Sequence, residues 1–164
     1  MLNDGNGWAA GPDGSRLWGR FGAAGLLVLT PDGKVLMQYR AEWTSCPLTW
    51  GVPGGARDSH ETAADAALRE AEEETGLTAD QVRVLGTEVT SGPFPADPGR
   101  PDLAGGWTYT TVYALADGEL ATTPNAESLE LEWVPLADVT ELPLLPAFAE
   151  SWPGVRRQAE KYLA

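Results

Sequence analysis

Cysteine occurs once in this 164-residue chain, at Cys46, so an internal disulfide framework is excluded. Long apolar runs are absent as well. No stretch approaches the roughly 18 residues that a membrane-spanning helix needs. The opening twenty residues, MLNDGNGWAAGPDGSRLWGR, lack the basic start and apolar core of a secretory signal, and a cytoplasmic protein is expected. Basic residues are scarce. Eleven Lys and Arg face 24 Asp and Glu, for a net charge of −13. Such a surface repels a nucleic-acid backbone, so nucleic acid is not an expected partner and neither is a membrane. The same charge sets a condition for function: an anionic substrate must be drawn in by local cations or by bound metal. No internal repeat and no heptad pattern is present.

What is present fits one globular domain, with 43% apolar and 21% charged residues. Residues 1–20, rich in Gly, read as an N-terminal arm or irregular lead-in, and 21–164 as the domain proper. Residues 21–30, FGAAGLLVLT, and 34–40, KVLMQYR, read as two strands joined by the turn PDGK, hence a hairpin. Residues 41–58 read as a long loop. A helix is expected over 59–75, then strands over 81–91, 107–116 and 129–136, with a proline-rich loop at 92–106 and a last helix from about Trp152. Strands outnumber helices and the helices stand apart, so the fold class is α/β, a mixed sheet with helices on its faces.

The helix carries the chemistry. Asp58 followed by Glu61 has the spacing of a capping box, with Ser59 as an alternative cap, and Gly76 sits where a helix end favours a left-handed residue. Ala64, Ala67, Leu68, Ala71 and Thr75 share one side. Glu70, Glu73 and Glu74, at i, i+3 and i+4, share the side next to it, while Glu72 points elsewhere, to solvent. Like charges at this spacing cost a few tenths of a kcal/mol, and a divalent cation reverses the sign. Carboxylate oxygens suit Mg²⁺ or Mn²⁺. A solvated acidic face on an acidic protein is the other reading of the glutamates taken alone.

The upstream residues decide between them. From Gly55 to Leu77 the chain reads GARDSHETAADAALREAEEETGL. That is Gly55, five residues, Glu61, seven residues, Arg69-Glu70, then Glu73-Glu74, Gly76 and Leu77. This resembles the Nudix box, in which every fixed letter is present at its spacing. Ala71 is smaller than the usual aliphatic residue at its place. The resemblance implies a Nudix α/β/α sandwich with a mixed sheet between helices. It implies a metal-dependent hydrolase of a nucleoside diphosphate linked to another moiety, with Mg²⁺, or Mn²⁺, as cofactor. Glu73 and Glu74 then match the principal metal ligands, Glu70 a ligand or general base, and the Gly55 carbonyl a backbone ligand. Arg69 matches the arginine that pairs with a glutamate, and Glu61 a residue that secures loop and helix. Catalysis is expected from Glu70, Glu73, Arg69 and an acid outside the box. A homodimer is common among such small sandwiches.

For the acid outside the box, Glu127 stands directly after the turn at Pro124 and Asn125, where loops present catalytic groups. Glu130 is second, since Leu129, Leu131 and Trp133 alternate with Glu130 and Glu132. Trp50, Trp107 and Tyr109 are candidates to stack on a base, with core packing as their ordinary role. Cys46 reads as a plain small thiol, because the other residues an isopentenyl diphosphate isomerase needs near its cysteine are missing. His60, in the helix's expected first turn, reads as exposed. Substrate choice is the weakest signal. Pro93 stands at the spacing associated with ADP-ribose hydrolysis, but three further prolines crowd the same loop. The expected substrate is a nucleoside triphosphate, cleaved to monophosphate and pyrophosphate, with ADP-ribose or a nucleotide sugar as the alternative. A non-catalytic nucleotide-sensing domain is the alternative of another class.

Overall fold

Two apolar clusters on opposite sides of one sheet organise the molecule. The computed structural model describes residues 3–164. In chain order the strands are β1 (Trp8–Ala10), β2 (Arg16–Trp18), β3 (Ala23–Leu29), β4 (Lys34–Arg40), β5 (Trp50–Gly51) and β6 (Gly54–Ala56). After helix α1 (Ala63–Thr75) come β7 (Val82–Phe94), β8 (Trp107–Ala116) and β9 (Ser128–Pro135), and helix α2 (Pro146–Leu163) ends the chain. Strands β3 to β9 form a seven-stranded mixed sheet in the order β5-β4-β3-β8-β7, with β6 beside β3 and β9 beside β4. The pair β3–β8 is parallel and the others are antiparallel. Alternation sorts the side chains: Ala24, Leu26, Val28, Leu36, Val112 and Ala114 pack under α1, while Leu27, Leu29, Val35, Met37 and Tyr113 pack with Trp152 and Val155 of α2. This is the α/β/α sandwich expected from the sequence. No helix among the described residues is long and apolar enough to cross a membrane.

β3 and β4 meet only near their shared turn, at Leu29 and Val35, and then splay. The segment after β4 fills the gap: Trp50–Gly51 pairs with β4 and Gly54–Ala56 with β3. Residues 41–58, expected to be a loop throughout, therefore carry two short strands. Each is too short to show a period, and each is held only by its partner. The splay matters because it sets Gly55 against the start of α1's acidic stripe.

Two helix boundaries differ from expectation. α1 begins at Ala63, not at 59, with Thr62 as its cap and Asp65 as the reciprocal partner. The Asp58–Glu61 pair is formed, for the Asp58 N–H donates to Glu61 Oε1 at 3.0 Å, but it closes a turn before the helix. Gly76 ends α1 at φ 80°, as expected. α2 starts at Pro146, about six residues earlier than expected, because proline is favoured at a first helical position. Pro153 lies inside α2.

Residues 8–18, within the segment read as an arm or lead-in, form a hairpin of β1 and β2. Residues 1 and 2 lie outside the described residues. The hairpin is fastened to the body: Ala10 N–H donates to Ala104 O at 2.8 Å, and the Trp107 indole donates to Trp18 O at 3.1 Å.

Candidate active site

The site grows from α1's contact with β6. Ala67, Ala71 and Thr75 are buried as their spacing predicts. Glu74 belongs to this buried stripe too, at 2% exposure, which differs from its expected place on a neighbouring, wetter side. Thr75 and Ala71 are small, so α1 lies close to the sheet and carries Glu74 in with it. Glu70 is one turn back. A Cβ at Gly55 would stand 2.6 Å from the Glu70 carboxyl carbon, so only glycine lets strand β6 and this carboxylate approach so closely. Glu73 is the outermost of the three, with its side chain 57% exposed, and Glu72 is exposed as expected.

Arg69 ties the cluster together. Its Nε and Nη2 donate to both oxygens of Glu61, each at 2.8 Å. Its Nη1 donates to Glu70 Oε1 at 3.0 Å, and its Nη2 also reaches the Ala56 carbonyl at 3.1 Å. Glu73 Oε1 lies 3.6 Å away. The bidentate pair with Arg69 holds the Glu61 carboxyl below its ordinary range. Burial, then the charge of Glu73, raises that of Glu70 despite Arg69. Burial pushes Glu74 up to about 9.

Glu74 has one oxygen satisfied and one not. Gln38 Nε2 donates to Oε1 at 2.8 Å, while Oε2 is buried with no hydrogen-bond partner. A buried carboxylate with a free oxygen, beside the partly buried carboxylate of Glu70, is a costly arrangement unless a proton or a cation completes it. Hard oxygen donors gathered this way fit a small divalent cation. Glu127 lies between the turn at Asn125 and β9, half-buried, its N–H held by Asn125 Oδ1 at 2.9 Å. Its charge acts on Glu74. Glu130 and Glu132 are exposed. The structure thus brings Gly55, Glu61, Arg69, Glu70, Glu73 and Glu74 together, with Glu127 beside Glu74.

A second acidic group, Asp58, His60 and Glu61, has ligand atoms within 4.8 Å of one another. Two of the three are already employed. Asp58 accepts from the N–H groups of Asn3 and Gly5, at 3.1 and 2.9 Å, and Glu61 is held by Arg69. His60 is exposed, as expected from the sequence, and so is Cys46.

The aromatic candidates are more enclosed than a stacking role requires. Trp50 is 6% exposed and stacks on Tyr39 at 4.8 Å between ring centres. Trp107 is 8% exposed and lies under Phe94. Tyr109 is half-buried, its hydroxyl over Gly25, and burial raises its phenol. An open cleft of about 540 Å³ lies between β7, the first turns of α2 and the turn of the N-terminal hairpin, with Thr90, Phe94, Glu150, Ser151 and Asp13 on its walls. It shares an end of the sheet with Gly55, since Gly55 pairs with Ala24, Ala23 with Tyr109, and Tyr109 with Ser91. Three strand spacings of about 4.8 Å give roughly 14 Å between Gly55 and Ser91 along the sheet, and the cleft lies on the α2 side of Ser91. Gln38, Asp58 and Ser128 were not candidates from the sequence. The available signal at Gln38 was its place in KVLMQYR, where Leu36 and Gln38 share a face and only one is apolar.

This fold, with a glutamate-lined helix seated on a glycine strand, defines a class. The NUDIX domain profile matches residues 19–157, and the chain belongs to the Nudix family. It is a Nudix hydrolase, an enzyme of the pyrophosphohydrolase class. It is 49% identical over 160 residues to a Mycobacterium tuberculosis protein provisionally named 8-oxo-dGTP diphosphatase 3, covering 95% of this chain and 71% of the relative. A Nudix hydrolase from M. smegmatis, solved by crystallography, is 47% identical and superimposes with a TM-score of 0.86 over 96% of each chain. A Streptomyces rubellomurinus hydrolase, named for a CMP-linked phosphonate, is 36% identical over 121 residues, which is 74% of this chain and 54% of that protein.

Proposed function

We propose that this Nudix hydrolase acts on a nucleoside triphosphate with Mg²⁺ as the working ion, which Mn²⁺ replaces, and releases the monophosphate and pyrophosphate. The observation that carries the reading is the free, buried Oε2 of Glu74 beside Glu70. On a chain of net charge −13, that oxygen pair supports a cation site through which a polyphosphate is accepted. Glu70, Glu73, Glu74 and the Gly55 carbonyl are the groups that hold the cation. When bound, the cation screens the phosphate charge, polarises the phosphoryl oxygen and acidifies water. Arg69 fixes Glu70 and Glu61 in place. Glu127, whose charge acts on Glu74, takes the proton from the attacking water. The cleft near Ser91 lies at the reach of an extended nucleotide, and Asp13 and Glu150 offer it acceptors for ring N–H and amino groups. Of the three aromatic candidates, Tyr109 is the least enclosed. The name borne by the 49% identical relative supports an oxidised purine triphosphate as substrate.

The test is a panel of ordinary and oxidised nucleoside triphosphates, ADP-ribose and nucleotide sugars, with products identified by chromatography. Monophosphate and pyrophosphate in Mg²⁺-dependent, EDTA-abolished amounts are expected from a purine triphosphate. ADP-ribose turnover about tenfold above every triphosphate would replace this substrate class with the other. Nucleotide binding without turnover of any member would identify a sensor.

A further inference from the structure

The alternation that buries β4 breaks at one residue. Leu36 packs under α1, and the next position on that face is Gln38, an amide that is only 2% exposed. An amide in such a place costs free energy unless its groups are bonded. Both hydrogens of Nε2 are used, one to Glu74 Oε1 at 2.8 Å and one to Ser128 Oγ at 2.7 Å. Ser128 reaches Gln38 because of an irregularity. Tyr39 pairs with Glu130 but Arg40 pairs with Ser128, so Leu129 is bulged out and Ser128 turns to the α1 face. Without that bulge Ser128 would share the other face with Glu130.

We propose that Gln38, anchored by Ser128, is a positioning residue that divides the two oxygens of Glu74, tying Oε1 to the sheet and keeping Oε2 for the divalent cation. The inference rests on the reading of Glu74 as a metal ligand. A neutral donor is what this task needs. A lysine or arginine at the same place would neutralise the carboxylate and compete with the cation, and an apolar residue would leave the carboxylate free to rotate. The ionised carboxylate only accepts, so the amide nitrogen must face it. Two anchors then fix the amide plane, and the amide fixes the carboxylate. Partners of metal ligands typically change metal affinity by about 10–100-fold when removed.

Mn²⁺ binding without nucleotide, followed by electron paramagnetic resonance, tests this directly in Gln38→Met, Ser128→Ala and Glu74→Gln beside the unaltered protein. Gln38→Met keeps the volume and should raise the Mn²⁺ Kd about tenfold. The Mg²⁺ concentration at half-maximal rate should rise by a similar factor, while the nucleotide KM at saturating Mg²⁺ stays unchanged. Ser128→Ala should move the same quantities in the same direction by less, and it decides the matter if Gln38→Met does not fold. Wild-type Mn²⁺ affinity in both Gln38→Met and Ser128→Ala, with Glu74→Gln weakened, overturns the role of Gln38 and leaves the metal reading standing. Wild-type affinity in Glu74→Gln overturns both. A raised nucleotide KM with unchanged Mn²⁺ affinity shows packing only, and also overturns the proposal.

Discussion

At the scale of single residues, the site is a contest between burial and charge. Glu74 is enclosed and Glu73 is open, so the two respond differently to the loss of charge. Glu73→Gln and Glu74→Gln should each lower kcat by about 100-fold or more at saturating Mg²⁺, with unchanged circular dichroism, because charge stabilisation at the phosphate is lost. Near wild-type turnover in both would remove them from the cation site. Glu74→Gln should also stabilise the metal-free protein, since it removes the burial cost of a carboxylate. The pH dependence follows from the same residue. Its carboxyl titrates at about 9 in the fold against an ordinary 4.5, so between these values the folded state holds a proton that the unfolded chain has released. Stability of the metal-free protein is therefore fully supported by this group below about pH 4.5 and declines as pH rises toward 9. Mg²⁺ takes the place of the proton and should flatten that decline. Melting temperatures in EDTA and in Mg²⁺ across this range check it, and parallel curves would show that the cation binds elsewhere.

At the scale of elements, α1 and β6 are joined by one side chain. Arg69 is 30% exposed, yet it spans Glu61, Glu70 and the Ala56 carbonyl. Arg69→Ala leaves Glu61 and Glu70 in enclosed positions without a counter-charge. The expected loss is on the order of 2–3 kcal/mol, below the range for a fully buried pair because part of Arg69 is solvated. Activity should fall with it, and unchanged melting and kinetics would reduce Arg69 to a surface charge. β9 supplies the other element-scale test. Its bulge separates Glu127, on the loop side near Glu74, from Glu130, exposed on the opposite face. Glu127→Gln should lose the ascending, low-pH limb of the pH–rate profile, and Glu130→Gln should keep it. Two wild-type profiles would mean that the box glutamates work without either.

At the scale of the whole molecule, the N-terminal segment is fastened to the loop that leads into α1. Asp58 is 3% exposed, accepts from Asn3 and Gly5, and lies 3.8 Å from Arg69. Asp58→Ala strands a buried N–H of Gly5, at a cost of about 1–3 kcal/mol. Proteolysis ahead of β1 should accelerate. The fall in kcat should be smaller than for Arg69→Ala, because Glu61 still holds the arginine. Wild-type melting and protease resistance would show that the segment is held by β1 and β2 alone.

The spacing from Gly55 to Leu77 determined the family and placed Arg69, Glu70, Glu73 and Glu74 on one helix, because those four residues are local to it, whereas Gly55 reaches Glu70 from strand β6. The strands at 34–40 and 107–116 were legible at their bounds, since alternation and β-branched residues are local signals too. Three things were decided by tertiary structure. Glu74 is buried because Ala71 and Thr75 let α1 settle on the sheet, and how close two elements come is a property of both. Trp50 and Trp107 are enclosed because Tyr39 and Phe94 cover them, and those contacts cross from one strand to the next, which the local pattern of the chain does not record. Gln38 meets Glu74 across 36 residues of chain and Ser128 across 90, the latter through a bulge that no periodicity announces. A motif records which groups do the chemistry, but the groups that hold them still come from wherever the fold brings strands together.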